Sequence, residues 1–480
     1  PPEVNKHRVE KLFVLGAAMT FFQKEEARVT VHAQTNGNEH VQRATELRRR
    51  LAALRGAGLS AKSAFTIPQS YSQGCVTHVL RAQHDTGQWL EQLDAALIGG
   101  LEDILGNTLD DRQKAQAALS QSRAGMAVGG NRSRAAAAYC GSWALAMQEV
   151  AKVVGATSVE GFRQQCPAVA AQIATAEQEM RNKGVNKGQP VKWVSFFSRQ
   201  TPKMQGVWAK EAADQDYNQL LQSADAKGKS VLRAHTGPGA SGYLQPSTED
   251  VPPMPDGHFR ALARRRLRLQ VCPPGSHCHN RRRDGTVCGK PLDADGQHCL
   301  KCDVGGARSK RHDDIRDFVA DAHQRYTGAL TSKEQHVPEW DRPNPRTREM
   351  ERAIMDVCTR DPRNGRCLFI DTRVTCELTD CPQRTLSRAN NDGVAAKESV
   401  SNKNSRYPPA KVPNASLLPF VLECGGRPAE ETAALVRYWG SRSDEPWLAT
   451  ASLWQRLSTT LQLGNAECIL SSLGPAGRGF

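Results

Sequence analysis

The sequence contains no apolar run of the roughly 18 residues that a transmembrane helix requires, so we expect no such helix. Its first residues, PPEVNKHRVEKL, have neither an initiator Met nor the apolar core of a secretory signal peptide. We therefore expect a fragment or an internal exon product. Aromatic residues are only 6% and hydrophobic residues 39% of the chain, which predicts that part of it packs poorly.

Acidic residues are in the minority. The 480-residue chain carries 64 Lys and Arg against 50 Asp and Glu, a formal net charge of +14. An excess of this size favours a polyanionic partner, with nucleic acid first and an anionic membrane second. The alternative is a basic protein whose charges are merely solvated.

The length corresponds to roughly three domains, or two with linkers. Apolar residues at helical spacing predict a mainly helical region, followed by a weakly amphipathic helical spacer and a segment crowded with Gly and Pro. Cys and His then cluster, and strand and helix patterns mix in the remainder, as in a single α/β domain. The predicted boundaries are 1–150, 151–258 with the Gly- and Pro-rich linker at 231–258, 259–305, and 306–480.

A short basic helix is predicted at FRALARRRLRLQ, residues 259–270. Its central arginines Arg264, Arg265 and Arg266 are candidate phosphate contacts, and the nearby run 281–283 adds three more. The alternative is a solvated helix face.

A candidate zinc site follows. Five of the 14 cysteines lie between Cys272 and Cys302, which suggests metal ligands in a reducing compartment rather than disulfides. Zinc takes four N or S ligands in tetrahedral geometry. The predicted ligands, separated by nine, nine and three residues, are Cys278, Cys288, His298 and Cys302. Cys272 or Cys299 could replace one of them, and reduced thiols in a loop are the alternative.

Two aspartates follow short apolar segments whose residues are typical of β-strands. Asp356 lies in AIMDVCT and Asp371 in LFIDTRV, with a turn-forming segment between them. A hairpin would bring the two side chains together, and two close carboxylates repel each other unless a divalent cation lies between them. This arrangement suits Mg²⁺-assisted phosphodiester hydrolysis. The alternative is a pair of ordinary strand-end residues.

The order of several motifs is more specific than any one of them: HCLKCDVGGARSKRHDDIRD, EQHVPE, ERAIMDV, IDTRV, KNSRYPPA and LLPFVLECGG. They resemble the C-terminal region of non-LTR retrotransposon polyproteins that carry a restriction-like endonuclease, and their protist relatives. The resemblance covers about residues 40–440 and is firm from about 230 onward. It implies a degenerate PD-(D/E)XK fold after a Cys-Cys-His-Cys zinc element, with a thumb-like region upstream.

The resemblance also implies catalytic roles. Asp356 and Asp371 would bind the catalytic metal, and Lys403 would be the displaced catalytic lysine on the following helix, with Lys397 as the fallback. Glu334 would be an acidic residue contributed near the exit of the first helix.

Three more roles follow from the same resemblance. Arg311 and His312 match the basic motif after the zinc element and would contact phosphate. Glu423, on a later strand, would be structural.

The chain departs from the family pattern at two positions. Met355 replaces the Pro before the first carboxylate, and Arg373 replaces the Lys two residues after the second. Because Arg stays charged it cannot shuttle a proton, and activity would rest on Lys403. The polymerase motif, an aromatic residue followed by x-Asp-Asp, is absent, and the pair Asp110–Asp111 has the wrong context. A complete reverse transcriptase is thereby excluded.

We thus expect an α+β protein with a thumb-like helical region joined to a zinc-stapled restriction-endonuclease-like domain. It would be a nuclear, Mg²⁺-dependent DNA endonuclease that nicks target DNA to prime reverse transcription, with structural Zn²⁺. Its partners would be DNA, element RNA and a polymerase on another chain. The alternatives are an inactive nucleic-acid-binding remnant and a zinc-containing adaptor without nucleic acid. Cleavage requires that Lys403 reach the two aspartates.

Overall fold

The computed structural model describes residues 11–14, 17–24, 28–34, 37–84, 87–198, 203–344 and 347–479. The described chain contains both helices and strands, so the expected α+β class is confirmed in its general form. It divides into two compact units. One comprises Pro1–Leu59, Ile67–Ser120 and Met126–Gln222, and the other comprises Ser60–Thr66, Gln121–Gly125 and Ser223–Phe480.

The elements up to residue 223 are β1 (Lys11–Val14), β2 (Ala17–Lys24), β3 (Arg28–Gln34), α1 (Gly37–Gly56), α2 (Ala61–Gly74), α3 (Thr77–Ala82), α4 (Trp89–Leu105), α5 (Asp111–Ala118), α6 (Asn131–Val153), α7 (Val159–Gln165), α8 (Pro167–Asn182), α9 (Trp193–Ser198) and α10 (Met204–Ser223). Strands β1 to β3 form an antiparallel sheet in chain order. Helices follow from residue 37, whereas these three strands lie within the region 1–150 that was predicted to be mainly helical. Residues 1–10 of that region lie outside the described residues.

Helix α6 has an alanine-rich centre, which lets other helices of the first unit approach closely. Its residues Tyr139 and Met147 are buried with Trp193 of α9 and Trp208 of α10. Helix α5 begins with a capping box, in which Asp110 accepts from the Gln113 backbone and the Gln113 side chain accepts from Asp110. The Asp110–Asp111 pair is thus part of a helix start.

The remaining elements are α11 (Ala226–Ala234), α12 (Asp256–Arg266), α13 (Gln297–Lys301), α14 (Ala307–Thr327), β4 (Ser332–His336), β5 (Arg342–Pro343), β6 (Met350–Glu351), β7 (Ile354–Arg360), β8 (Cys367–Thr375), α15 (Pro382–Asn390), α16 (Val394–Arg406), β9 (Ala415–Glu423), α17 (Glu430–Gly440) and α18 (Pro446–Leu473). Four strands form a sheet in the order β4-β7-β8-β9. Strand β7 pairs antiparallel with both β4 and β8, whereas β9 runs parallel to β8 after a crossover through α15 and α16.

This sheet is covered on both faces. On one face, buried residues of α14, α17 and α18 pack against Val357, Ile370 and Phe420 of the strands. On the other face, Phe369 of β8 packs with Trp340 and other residues of a separate apolar cluster. Burial on both faces explains why β7, β8 and β9 read as nearly continuous apolar runs in the sequence.

The segment 231–258, which we expected to be a linker, packs inside the second unit. Tyr243 and Leu244 are buried, and the Tyr243 backbone N–H donates to Ser458 Oγ of α18 at 3.1 Å. A Cβ at Gly242 would lie 2.8 Å from Gln455 Cα, so the close approach requires glycine. The glycines Gly239 and Gly242 are therefore explained by close packing, whereas the prolines of the segment are exposed.

Helix α12 contains the predicted basic cluster, but two of its arginines face inward. Arg265 forms an ion pair with Glu377, and both side chains are buried. Arg266 is fully buried and donates to the carbonyls of Gln121, Gly125 and Ala240 at 2.7–3.0 Å. The expectation that these two arginines contact phosphate is wrong, because their guanidinium groups hold the protein together. Arg264 is half-buried.

We expect the substitution Arg266→Met to lower the free energy of unfolding by roughly 3 kcal/mol, because three buried carbonyls lose a charged donor. Denaturant unfolding followed by far-UV circular dichroism measures the effect. Arg283→Met, at an exposed position, is the control and should change stability by less than about 0.5 kcal/mol. Equal stability of the two variants would contradict the structural role.

The buried residue His235 should make stability depend on pH. Burial and the charges of Arg265 and Arg266 lower the pKa of His235 well below 6.5. The unfolded chain therefore binds a proton near pH 6.5 that the folded chain does not. Stability is present above that pH and is lost below it, by about 1.4 kcal/mol per pH unit for this group.

Unfolding free energies at pH 7.0 and 5.5 test this expectation. His235→Asn should lose less stability on acidification than the wild type, whereas His277→Asn, at an exposed position, should lose as much as the wild type. Identical losses in all three proteins would rule out His235 as the group responsible.

Candidate functional site

The four predicted zinc ligands lie together. Cys278 and Cys288 are on opposite sides of a short hairpin, in which the Cys278 N–H donates to Lys290 O at 2.8 Å and the Cys288 N–H to Asn280 O at 2.8 Å. The hairpin explains the unusually wide spacing of this first pair. His298 lies on α13 and Cys302 directly follows that helix, whose first turn is capped by Asp293.

The distances within this cluster fit a tetrahedral metal. The Sγ atom of Cys302 lies 3.8 Å from that of Cys278 and 3.9 Å from that of Cys288, and Cys288 Sγ lies 3.6 Å from His298 Nε2. Tetrahedral bonds of about 2.3 Å to zinc place sulfur ligands about 3.8 Å apart. The four residues could therefore hold a metal such as zinc.

The two alternative ligands form a separate pair. Cys272 Sγ lies 3.6 Å from Cys299 Sγ, and neither belongs to the group of four. Burial raises the pKa of Cys278 to about 12, so a bound cation is needed to hold this thiol as a thiolate.

We expect Cys288→Ser to reduce the zinc bound per chain by one and to lower the free energy of unfolding by several kcal/mol, because metal binding here is coupled to folding. Elemental analysis and thermal denaturation measure the two effects. Cys381→Ser changes a half-exposed cysteine outside the group and should alter neither. Full zinc retention in Cys288→Ser would exclude this residue as a ligand.

The two predicted carboxylates lie on adjacent strands of the central sheet. The β7–β8 register pairs Val357 with Ile370, so Asp356 and Asp371 are the next pair along. Both are buried, at 9% and 3% exposure. Asp356 Oδ2 accepts from the backbone N–H of Thr372 at 2.6 Å and from its hydroxyl at 2.7 Å.

Two cationic side chains complete this acidic site. Lys403, on α16, forms an ion pair with Asp371 Oδ2, and its ammonium group also lies 5.8 Å from the centre of the Tyr407 ring. His312, on α14, has its Nε2 atom 3.0 Å from Asp356 Oδ1. Lys397, the fallback, is exposed one and a half turns earlier on α16. Lys403, on which the expected cleavage depends, therefore reaches Asp371, and His312 rather than Lys403 contacts Asp356.

The surroundings of the two carboxyl groups shift their pKa values in opposite directions. Burial raises the pKa of Asp371 to about 6, although the charge of Lys403 acts in the opposite direction. Burial also acts to raise the pKa of Asp356, but hydrogen bonds from His312 and Thr372 outweigh it and hold that pKa below its usual value. The hydrogen bond to Asp356 raises the pKa of His312. A divalent cation would relieve the repulsion between the carboxylates, as expected of a metal site.

Three further predicted residues make contacts of their own. Glu334 lies on β4 between the residues that pair with Val357 and Met355, and thus opposite Asp356, but its side chain is exposed and forms an ion pair with Arg316 at 2.5 Å. Arg311 is buried and donates to Asn465 Oδ1 at 2.7 Å and to Leu300 O at 3.2 Å, and its contact with phosphate stays a prediction. Glu423 is buried and accepts from the Ala396 backbone N–H at 3.2 Å, and burial raises its pKa to about 7.

Sequence patterns did not reveal several residues around the acidic site. Thr372 fixes Asp356, and its only signal was its position directly after Asp371. Lys301, Arg308 and Arg373 line a cavity of about 310 Å³, and Arg308 also lines an adjoining cavity of about 340 Å³ together with His312. Lys301 and Arg308 lie in one of the quoted motifs and Arg373 in another, but only the fold brings the three side chains to one cavity.

Comparisons with known proteins identify no family. No protein-family model matches the chain, and no curated protein matches it. Within the described ranges, no helix combines the length and apolarity needed to cross a membrane.

Proposed function

We propose that the second unit is a Mg²⁺-dependent DNA endonuclease. The single observation that carries this proposal is the ion pair of Lys403 with Asp371, next to Asp356, because it assembles on neighbouring elements the groups that metal-assisted hydrolysis requires. The resemblance of the motifs to restriction-like endonucleases of non-LTR retrotransposons supplies the reaction. A mixed four-stranded sheet with helices on both faces is compatible with that fold.

The roles of the side chains follow from their contacts. Asp356 and Asp371 would hold the cation, which when bound polarises the scissile phosphate and promotes deprotonation of the attacking water. Thr372 and His312 would keep the Asp356 carboxylate oriented. Lys403, released from Asp371 when the cation takes its place, would orient the water or stabilise the charge on the phosphate.

Positive side chains beside the site would receive the nucleic-acid backbone. Lys301, Arg308 and Arg373 line the cavities described above, and Arg373 is exposed. Arginine holds phosphate with parallel hydrogen bonds but does not exchange protons at neutral pH. Arg373 would thus bind phosphate in place of the catalytic lysine of the family pattern. The exposed run 281–283, at the turn of the zinc-element hairpin, would extend this surface.

The biological role rests on the resemblance. The enzyme would nick target DNA in the nucleus to prime reverse transcription of an element RNA. A polymerase on another chain would carry out the synthesis, because this sequence lacks the polymerase motif. Zn²⁺ would be the structural metal and Mg²⁺ the catalytic one.

A plasmid-nicking assay at low salt with Mg²⁺ or Mn²⁺ tests the proposal. We expect the wild type to convert supercoiled to nicked plasmid, and EDTA to abolish this. Asp371→Asn and Lys403→Gln should each lower the rate at least about 100-fold, because they remove a metal ligand and a charge at the reacting phosphate. Lys411→Gln changes an exposed lysine elsewhere in the unit and should stay within about twofold of the wild type.

Two results would contradict cleavage. Salt-sensitive DNA binding without nicking by the wild type would indicate an inactive nucleic-acid-binding remnant, since phosphate contacts weaken steeply as salt rises. Neither binding nor nicking would indicate an adaptor that uses the zinc element for another partner.

A further inference from the structure

We propose that Cys376, Glu377 and Cys424 form a second metal site, for a thiolate-preferring divalent cation of the zinc class. Their ligand atoms all lie within 4.8 Å of one another, and all three residues are buried. None of them belongs to the zinc element or to the acidic site. The proposal therefore does not depend on the proposed nuclease activity.

The sheet topology brings these ligands together. Strands β8 and β9 are parallel and end in register at Thr375 and Glu423. Cys376 and Cys424 are the residues that follow, and the Cys424 N–H donates to Thr375 O at 2.8 Å. Two thiols thus lie side by side at the same end of the two strands, and both belong to one buried apolar cluster.

One carboxylate oxygen of Glu377 has no partner that would balance its burial. It is 2% exposed, and its Oε1 atom pairs with Arg265. Its Oε2 atom is buried and has no hydrogen-bond partner among the described residues. A buried carboxylate oxygen without a partner is costly, and a metal ion next to the two thiols would satisfy it.

The charges around the cluster allow a divalent cation. Arg265 pairs with Glu377, and Arg311 Nη1 lies 3.8 Å from Cys424 Sγ. When Zn²⁺ binds, both thiols lose their protons, so two protons leave as two positive charges enter. The net charge of the buried cluster does not change. Two thiolates and one carboxylate are ligands that zinc accepts, whereas thiolates disfavour Mg²⁺.

Native mass spectrometry of the full chain, purified with Zn²⁺ as the only added metal, tests the proposal. We expect two zinc ions per wild-type chain, one displacing the three thiol protons of the zinc element and the other the two thiol protons of the new site. Cys376→Ser and Cys424→Ser should each retain one zinc, that of the zinc element. Cys288→Ser should also retain one zinc ion, in this case the one bound by Cys376, Glu377 and Cys424. Cys468→Ser, a buried cysteine of the same apolar cluster outside both ligand sets, is the matched control and should retain two.

A measurement on the wild type alone keeps the test decisive if a variant does not fold. X-ray absorption at the zinc edge should give an average of about 2.5 sulfur ligands per zinc, between three in the zinc element and two in the new site. One zinc per wild-type chain, an average of three sulfurs, or a disulfide between Cys376 and Cys424 would each overturn the proposal. So would two zinc ions retained in both Cys376→Ser and Cys424→Ser.

Discussion

The second unit depends on how two carboxylates are tolerated inside it. Asp356 and Asp371 are neighbours on adjacent strands, nearly out of contact with water, and their charges repel each other at short range. The fold compensates with groups from three different elements: Lys403 from α16, His312 from α14 and the Thr372 backbone and hydroxyl from β8. Because each of these elements packs on the sheet through its apolar residues, the geometry of the acidic site is set by the core rather than by a loop.

The same need to compensate buried charge explains the contacts of the buried arginines. A net charge of +14 suggests a surface that attracts polyanions, yet Arg265 and Arg266 are buried and bonded to carboxylate and carbonyl oxygens within the protein. Burying a guanidinium requires that its donors find acceptors in the protein, and once they do, the group is not available to a ligand. Counting positive residues in a sequence therefore overstates the surface charge. Among the exposed positive residues, Arg373 lies next to the acidic site and the run 281–283 on the zinc-element hairpin.

How far the sequence predicted the site depended on the range of the interactions involved. The pairing of Asp356 with Asp371 required only a hairpin, and the zinc ligands required only close turns, so spacing was informative. Lys403 came from a resemblance between motifs, since no local rule places a helix residue beside a strand. The burial of Arg311 and the packing of the segment 231–258 depend on α18, which lies well over a hundred residues further along the chain. Composition predicted a linker in that segment because Gly and Pro are frequent both in mobile chain and in chain that packs tightly, and only contacts with distant residues separate the two cases.

Under the proposed function, lysine and arginine would have exchanged places relative to the family that the motifs resemble, and the positions of the two side chains suggest a physical reason. A lysine two residues after Asp371 would lie on β8 and face the same way as that aspartate, because side chains alternate along a strand. Here that position holds the exposed Arg373, and the lysine reaches Asp371 from α16. Under the proposed function, the two tasks of that lysine, holding charge next to the metal ligands and contacting phosphate, would be divided between Lys403 and Arg373. The guanidinium suits only the second task, since it binds phosphate strongly but keeps its protons. The ammonium group suits the first, because it can leave the carboxylate as a cation arrives. A site divided in this way keeps the chemistry that the strand lysine provides, provided that α16 stays packed on β8 and β9.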